Sequence, residues 1–243
     1  MCRNYFYLFI IFSLFSRQTA CAFEIDSVAY QLNPKDLIIP AGLLTIGTVA
    51  SLTEHYDILN FSRPEKNPAS TPFDDVFQYA PMSSLFLFDA LGKEKHHPVD
   101  QFFVMALSYG ITIVPVKLIK DNYTVLRPNG EPGSFPSGHT AAAFVGAHVI
   151  YKEFKDSNTL IAFSGYGMAG VVAASRIIHN RHWVSDVFAA AGIAMLSTEL
   201  AYLIYFPVRN LVTGKMSQLF GKEIAITPVI HSETLGFHLN IRF

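Results

Sequence analysis

The sequence predicts an all-α helical bundle of about five to six helices, embedded in a membrane and followed by a short C-terminal β-like hairpin. Five segments are apolar on all sides with small residues interleaved, and no strand-like alternation appears before the last 20 residues. The composition agrees, because 51% of the 243 residues are hydrophobic and only 15% are charged. Helices that are apolar all round are buried in protein or in lipid.

The N-terminus has the layout of a secretory signal peptide. An apolar run over residues 4–16 follows Arg3, is too short for a comfortable membrane span, and precedes the small residues Ala20 and Ala22. We therefore predict a signal peptide over residues 1–22, with an uncleaved anchor as the alternative. Both cysteines lie in that segment, so the cleaved chain would have neither a disulfide nor a thiolate metal site.

The predicted catalytic domain covers residues 23–223. A less even segment, 74–91, contains Pro81 and is predicted to be a helix with a break or an interfacial segment. A polar, turn-rich loop over residues 121–138 is long for a compact domain, and such loops tend to be functional. The apolar helices are predicted over 37–53, 101–119, 140–151, 159–174 and 187–206.

The tail over residues 224–243 changes in character. Phe237, Leu239 and Ile241 alternate with polar residues, which is typical of a strand. A hairpin is predicted, with Pro228 confining its first strand to an edge. We interpret it as an arm that covers the helices rather than an outer-membrane strand, because one strand pair cannot make a barrel.

Three polar clusters stand where apolar segments meet loops. They read K-x6-RP from Lys120, PSGH from Pro136 and SR-x5-H-x3-D from Ser175. In this order they resemble the signature of the phosphatidic acid phosphatase type 2 superfamily, and all eleven fixed letters match. PSGH alone would be weak support, but chance agreement of the ordered set is remote.

Phosphoryl transfer needs positive charge around the equatorial oxygens, a nucleophile in line with the leaving group, and an acid for the leaving oxygen. Lys120, Arg127 and Arg176 supply the charge, and the forked guanidinium groups match phosphate geometry. The hydroxyl of Ser137 and the backbone amides of Ser137 and Gly138, at a helix N-terminus, add donors. The resemblance implies phosphate binding for the same five residues.

His182 and Asp186 lie four residues apart at a helix start, hence on one face. The carboxylate can hold one imidazole nitrogen and leave the other free to attack phosphorus. His139 would protonate the leaving oxygen and then activate water against the phosphohistidine. The resemblance implies the same roles: nucleophile for His182, orientation for Asp186 and acid/base for His139.

No cofactor or metal is predicted. His96, His97 and Asp100 are interpreted as loop residues, because a metal site needs a larger ligand set. Near-neutral charge and scattered basic residues argue against nucleic acid as a partner, and no protein partner is predicted. Arg181 and Trp183 flank the nucleophile, where they could touch a substrate headgroup, although Trp183 also suits an interfacial anchor.

Helices that alternate in direction bring all three clusters to one side of the membrane. The positive-inside rule then places the site on the exported face, because five basic residues fall on the other side: Lys152, Lys155, Arg209, Lys215 and Lys222. We predict a bacterial inner-membrane protein with a periplasm-facing site. Because several runs are shorter than about 20 residues, a soluble periplasmic bundle is the alternative.

The sequence that flanks the motifs resembles that of bacterial envelope members of the superfamily. Among these, lipid A phosphatases, including the 4′-phosphatase type, and undecaprenyl pyrophosphate phosphatases are expected. The resemblance implies a phospholipid or lipid-linked phosphate substrate. The alternatives are a soluble acid phosphatase of broad specificity, a vanadium-dependent haloperoxidase, which shares the oxyanion cradle, and a non-catalytic envelope protein.

Overall fold

Helices dominate the part of the chain that the computed structural model describes, namely residues 32–53, 72–89, 95–220, 223–231 and 234–242. The predicted signal peptide over residues 1–22 lies outside these ranges. A short 3-10 helix, Pro34–Leu37, leads into the first α-helix. The α-helices are α1 (Ile38–Leu52), α2 (Pro72–Phe77), α3 (Ala80–Asp89), α4 (Pro98–Asn122), α5 (Gly138–Phe154), α6 (Thr159–Ile178) and α7 (Val184–Phe220).

The all-α bundle is confirmed, because every segment predicted to be an apolar helix is helical. The uneven segment 74–91 divides into α2 and α3, which are separated by Gln78 and Tyr79. The break precedes Pro81, which is the second residue of α3. A proline is tolerated there because the first helical turn has no intrahelical partner for its N–H group.

Polar side chains cap three of the helices that surround the site or lead to it. The side chains of Ser137 and Asn158 accept backbone hydrogen bonds at the starts of α5 and α6. His97 does the same for α4, whose first residue is Pro98. These caps satisfy amide groups that a helix start leaves without a partner.

Helix α5 is the most enclosed of the described helices and packs against α3, α4 and α6. Small residues allow this close approach. A Cβ added at Gly165 on α6 would lie 3.0 Å from Cα of Ala147, and one at Gly146 would lie 2.7 Å from the backbone nitrogen of Met82. The apolar character of α5 is therefore explained by burial within protein.

Helices α1 and α7 also touch through glycine. A Cβ at Gly47 would clash with the backbone nitrogen of Ala189, and one at Gly192 would lie 2.5 Å from that of Leu44. Membrane helices commonly associate through such small residues, which let the backbones approach.

The outer surface of the bundle is that of a membrane protein. Within the described residues, four helices are long and apolar enough to cross a membrane: Pro34–Leu52, Pro98–Asn122, Thr159–Ile178 and Val184–Gly214. Large apolar side chains on them are exposed, for example Ile39, Phe102, Leu160 and Leu203. An exposed apolar surface of this extent suits contact with lipid.

A buried ionic network joins α5 to α7 and to the 3-10 helix, at the end of α5 farthest from its N-terminus. The Lys152 ammonium lies 3.0 Å from a carboxylate oxygen of Glu199 and 3.2 Å from one of Asp36. Glu199 also lies 2.9 Å from Nε2 of His148, and Asp36 pairs with Lys155 at 3.2 Å. Lys152 is thus at the end that the charge pattern predicts, but it is buried and paired.

The C-terminal residues form two antiparallel strands, β1 (Glu223–His231) and β2 (Thr234–Arg242). The register runs from Glu223 opposite Arg242 to His231 opposite Thr234, and it places Pro228 opposite Phe237. Each strand has one neighbour in this sheet, so Pro228 has an edge position, where the missing N–H group is tolerated.

Candidate active site

The three polar clusters meet at one end of the bundle. The Lys120 ammonium, at the end of α4, donates to the Gly133 carbonyl at 2.7 Å. The Ser134 hydroxyl donates to the Asp186 carboxylate, and the Ser137 amide donates to the Asp186 carbonyl at 3.2 Å. These contacts tie the end of α4, the loop before α5 and the start of α7 into a single site.

The centre of the site is a buried histidine–carboxylate pair. Nδ1 of His182 lies 3.3 Å from Oδ2 of Asp186, and their side chains are 2% and 0% exposed. The same carboxylate oxygen accepts from the Trp183 amide at 2.8 Å and from the Ser134 hydroxyl. Because Nδ1 faces the carboxylate, Nε2 is the ring nitrogen that remains to attack a phosphorus atom.

A tight turn returns the chain from α6 to the histidine. The Arg176 carbonyl accepts from the amides of Arg181 and His182, at 3.0 and 3.1 Å. Asn180 lies between Arg176 and Arg181 in the chain. Its φ of 54° is a left-handed conformation that asparagine tolerates better than most residues. Asp186 lies in the first turn of α7, where the helix dipole favours a negative charge.

Burial lowers the pKa of His182 to about 4, because it disfavours the charged imidazolium. The hydrogen bond and the charge of Asp186 act in the opposite direction, and the nearby charges of Lys120 and Arg127 lower the pKa further. At neutral pH the imidazole therefore has the unprotonated nitrogen that a nucleophile needs.

Positive charge converges on this pair. Lys120 lies within electrostatic range of Arg127, Arg176 and Asp186. Arg176 is 7% exposed at the end of α6. The structure thus brings together the three cations that the motif spacing singles out, beside the predicted nucleophile.

The start of α5 differs in one respect from the expectation. The Ser137 hydroxyl caps the helix, 3.4 Å from the Thr140 amide, and the Ser137 amide already donates to the Asp186 carbonyl. In this geometry the Ser137 amide is thus directed at the Asp186 carbonyl. Gly138, the first residue of α5, keeps its position at the helix N-terminus.

His139 has a partner that the sequence analysis missed. Its Nε2 lies 2.8 Å from Oδ1 of Asp75 on α2, a helix to which no role was assigned. The side chain of His139 is 27% exposed and that of Asp75 is 73% exposed, so the pair lies at the mouth of the site. In the sequence, Asp75 is only an acidic residue within a predicted helix. No regular interval along the chain relates it to His139.

Glu131 was also missed, although it lies in the loop that was expected to be functional. Its carboxylate is 3.2 Å from the Arg127 guanidinium and 3.3 Å from that of Arg181. The Trp183 indole donates to the Leu126 carbonyl at 2.6 Å. Arg181 and Trp183 therefore bind the loop over residues 121–138 to the turn that contains the predicted nucleophile.

The three candidate metal residues have separate partners. His96 pairs with Glu153 at 2.9 Å, and Asp100 accepts from the Tyr205 hydroxyl at 2.8 Å. His97 caps α4, and Asp100 lies in the first turn of that helix, not in the loop. Within the ranges that the structure describes, no group of three or more His, Cys, Asp or Glu residues is arranged to hold a metal ion.

Comparisons with known proteins agree with the motifs. Residues 97–209 match the PAP2 superfamily. Lipid A 1-phosphatase of Porphyromonas gingivalis is 36% identical over 160 residues, which are 63% of this chain and 35% of that protein. The chain thus spans about a third of the length of this curated relative.

Two solved structures resemble the chain at low identity. The crystal structure of Aquifex aeolicus LpxE has a TM-score of 0.46 and 22% identity, and the match covers 61% of this chain and 93% of that one. The first transmembrane PAP2 type phosphatidylglycerolphosphate phosphatase from Bacillus subtilis has a TM-score of 0.33 and 17% identity, covering 80% and 91%.

Proposed function

We propose that this chain is a PAP2-type phosphatase that acts on a lipid headgroup without a metal ion, since residues 97–209 match the PAP2 superfamily. The reaction passes through a phosphohistidine on His182. One observation carries the proposal: a buried His182–Asp186 pair surrounded by Lys120, Arg127 and Arg176.

In the first half-reaction, Nε2 of neutral His182 attacks the phosphorus atom and the bond to the leaving oxygen breaks. Asp186 orients the ring through Nδ1 and stabilises the charge that the imidazole gains. The cations balance the charge on the equatorial oxygens of the transition state. His139 gives its proton to the leaving oxygen.

In the second half-reaction, water attacks the phosphohistidine. His139, now neutral, removes a proton from that water, and the phosphorus–nitrogen bond breaks to release phosphate and neutral His182. The two histidines thus return to their starting protonation states without a metal ion.

The setting of the site supports a lipid substrate. A site at the end of a bundle of membrane helices favours an anionic lipid headgroup over a free metabolite. The relative from Porphyromonas gingivalis is a lipid A 1-phosphatase, so the 1-phosphate of lipid A is the first position to test. The 4′-phosphate of lipid A and undecaprenyl pyrophosphate are the next candidates.

The site faces the periplasmic side of the inner membrane in this proposal. The three clusters lie at the N-terminal end of α5, whereas Lys152 and Lys155 lie at its other end. Acidic partners contribute little to the positive-inside rule, so both lysines still count toward a cytoplasmic end.

Phosphate release by purified protein in detergent with EDTA tests the proposal. The substrates are lipid A, undecaprenyl pyrophosphate, phosphatidic acid and p-nitrophenyl phosphate, and the proteins are wild type, His182→Ala and a control, His179→Ala, in the same turn. We expect selective hydrolysis of one lipid, lost only in His182→Ala and inhibited by vanadate, which mimics the trigonal-bipyramidal arrangement of the phosphoryl group during transfer.

Other outcomes separate the alternatives. Equal activity on every phosphomonoester would indicate an acid phosphatase of broad specificity. Strict dependence on a divalent metal would contradict the phosphohistidine mechanism. Absence of hydrolysis on all four substrates would favour the non-catalytic envelope protein.

A further inference from the structure

An apolar groove of about 370 Å³ lies between α1 and α4, at the end of the bundle that holds the site. From α1 it is lined by Leu44, Thr48 and Ser51, which lie about one helical turn apart and so share a face. Leu118 and Ile119 line it from α4. A volume of this size is within the range of small-ligand sites.

Two residues that line the groove are direct chain neighbours of residues of the phosphate site. Phe135 lines the groove and follows Ser134, whose hydroxyl donates to the Asp186 carboxylate. Ile119 lines it and precedes Lys120, one of the three cations. A molecule that reaches from the groove to the cations therefore needs an apolar part and a phosphate, adjacent to each other.

Aromatic contacts hold the end of the groove next to the site. The Tyr123 hydroxyl donates to the Ser51 carbonyl at 3.3 Å, which joins the end of α4 to the end of α1. The Tyr123 ring packs edge-on against Phe135, with ring centres 5.9 Å apart. The outer rim is different, since Leu52 and Leu118 are 64% and 57% exposed on helices that suit a membrane.

We propose that this groove binds one acyl chain of the lipid whose phosphate occupies the site, an inference that rests on the proposed function. The occupant is an acyl chain because the lining is mostly aliphatic and aromatic and the exposed rim lies on helices that suit a membrane. The chain neighbours of Phe135 and Ile119 belong to the phosphate site. Entry from the membrane along α1 and α4 would bring the headgroup to His182.

The groove positions the substrate more than it adds affinity. An acyl chain that leaves the bilayer for an apolar groove exchanges one apolar surrounding for another, so it gains little hydrophobic free energy. Fixing the chain restricts where the headgroup can lie, and a displacement of about 1 Å can cost about 100-fold in rate. We therefore expect the groove to increase kcat/KM for long-chain lipids.

The first test fills the groove. Thr48→Trp places a large side chain in it, Leu118→Trp does so from the exposed rim, and Ile46→Trp is the control on an exposed part of α1. With synthetic lipids that carry the hydrolysed headgroup on acyl chains of increasing length, wild-type kcat/KM should rise and then level off. Both groove variants should lose at least about tenfold on long chains and keep wild-type activity on p-nitrophenyl phosphate.

The second test does not need catalysis. A phosphatidic acid with a diazirine midway along one acyl chain is cross-linked to the full chain in detergent, and the labelled peptides are mapped by mass spectrometry. We expect labels in residues 44–52 and 118–123, reduced by Thr48→Trp but not by Ile46→Trp.

These results separate failure of the groove from failure of the proposed function. An unchanged chain-length dependence in both groove variants, or uniform labelling of all lipid-facing helices, would overturn the inference. If wild type hydrolyses none of the substrates, the proposed function fails and the labelling pattern alone decides the groove. If a groove variant loses p-nitrophenyl phosphate activity as well, the labelled positions in wild type decide: labels within residues 44–52 and 118–123 support the groove, and uniform labelling overturns it.

Discussion

The imidazole of His139 and the carboxylate of Asp75 lie 2.8 Å apart, although 64 residues separate them in the chain. The contact parallels that between His182 and Asp186, so each of the two histidines assigned to catalysis has a carboxylate beside it. Asp75 can stabilise the imidazolium form that His139 needs as a general acid, and it can hold the ring in one orientation.

We expect Asp75→Asn to lower kcat about tenfold, a fraction of what general acid–base catalysis contributes. The alkaline limb of the pH–rate profile should move to lower pH, because the imidazolium loses a stabilising charge. Asp75→Glu should restore both values in part. A loss of kcat with an unmoved pH profile would show that Asp75 only supports the fold.

The pH dependence of kcat/KM should reflect the low pKa of His182. Protonation removes the nucleophile, so activity falls as the pH drops through the pKa, which is about 4 in the free enzyme. A profile without an acid limb above about pH 5 agrees with this value. In Asp186→Asn the imidazolium loses its partner, so the limb should move lower still, and kcat should fall at least about 100-fold.

Ser134 supports Asp186 and has no predicted contact with substrate, so Ser134→Ala should lower kcat and leave KM unchanged. Hydrogen bonds to charged groups are worth about 1.5–3 kcal/mol, which sets an upper limit of about 100-fold on the loss. Ser185→Ala is the control, since Ser185 is also buried and its hydroxyl has no hydrogen-bond partner among the described residues. Equal losses in both variants would contradict a specific role for Ser134.

Removing the Glu131 carboxylate should strengthen anion binding. It pairs with Arg127 and Arg181 where a phosphate would compete for the same guanidinium groups. We expect Glu131→Gln to lower the inhibition constants of phosphate and vanadate about threefold at low salt, and less at high salt, because the pair is partly exposed. Asp121→Asn, an exposed acid at the end of α4, is the control. Weaker inhibition would show that Glu131 instead orients Arg127 for phosphate.

The contact between α1 and α7 has a matched test of stability. Gly192→Ala would place a Cβ 2.5 Å from the Leu44 backbone nitrogen, whereas Gly167→Ala has no atom within 4 Å. We expect a lower Tm in detergent for Gly192→Ala and an unchanged or higher one for Gly167→Ala, since alanine favours a helix. Equal Tm values would show that the two helices separate without cost.

The sequence predicted the features that depend on local spacing. Apolar segments gave the helices, and the interval of four residues placed His182 and Asp186 on one face. The meeting of the three clusters followed from alternating helix directions. The contacts of Asp75 with His139 and of Glu131 with Arg181 could not be predicted, because each joins segments that no periodic pattern relates.

The same limit applies to the Ser137 amide and to the groove. A helix start predicts amides directed at an anion, but only the packing of α7 shows that the Asp186 carbonyl occupies one of them. The groove depends on the distance between α1 and α4, which hydrophobic patterns do not encode. Burial of Lys152 likewise depends on Glu199, 47 residues away.

The buried charges of Lys152 and Glu199, together with the partly buried charge of Asp36, make assembly of the bundle conditional. An unpaired charge within a membrane costs several kcal/mol. Here the Lys152 ammonium is paired with carboxylates from two other elements, those of Glu199 and Asp36. Helix α5 alone in lipid would carry an unpaired Lys152, and α7 alone an unpaired Glu199. Joining of α5 and α7, and then of the 3-10 helix, therefore removes a cost that the separate helices would carry.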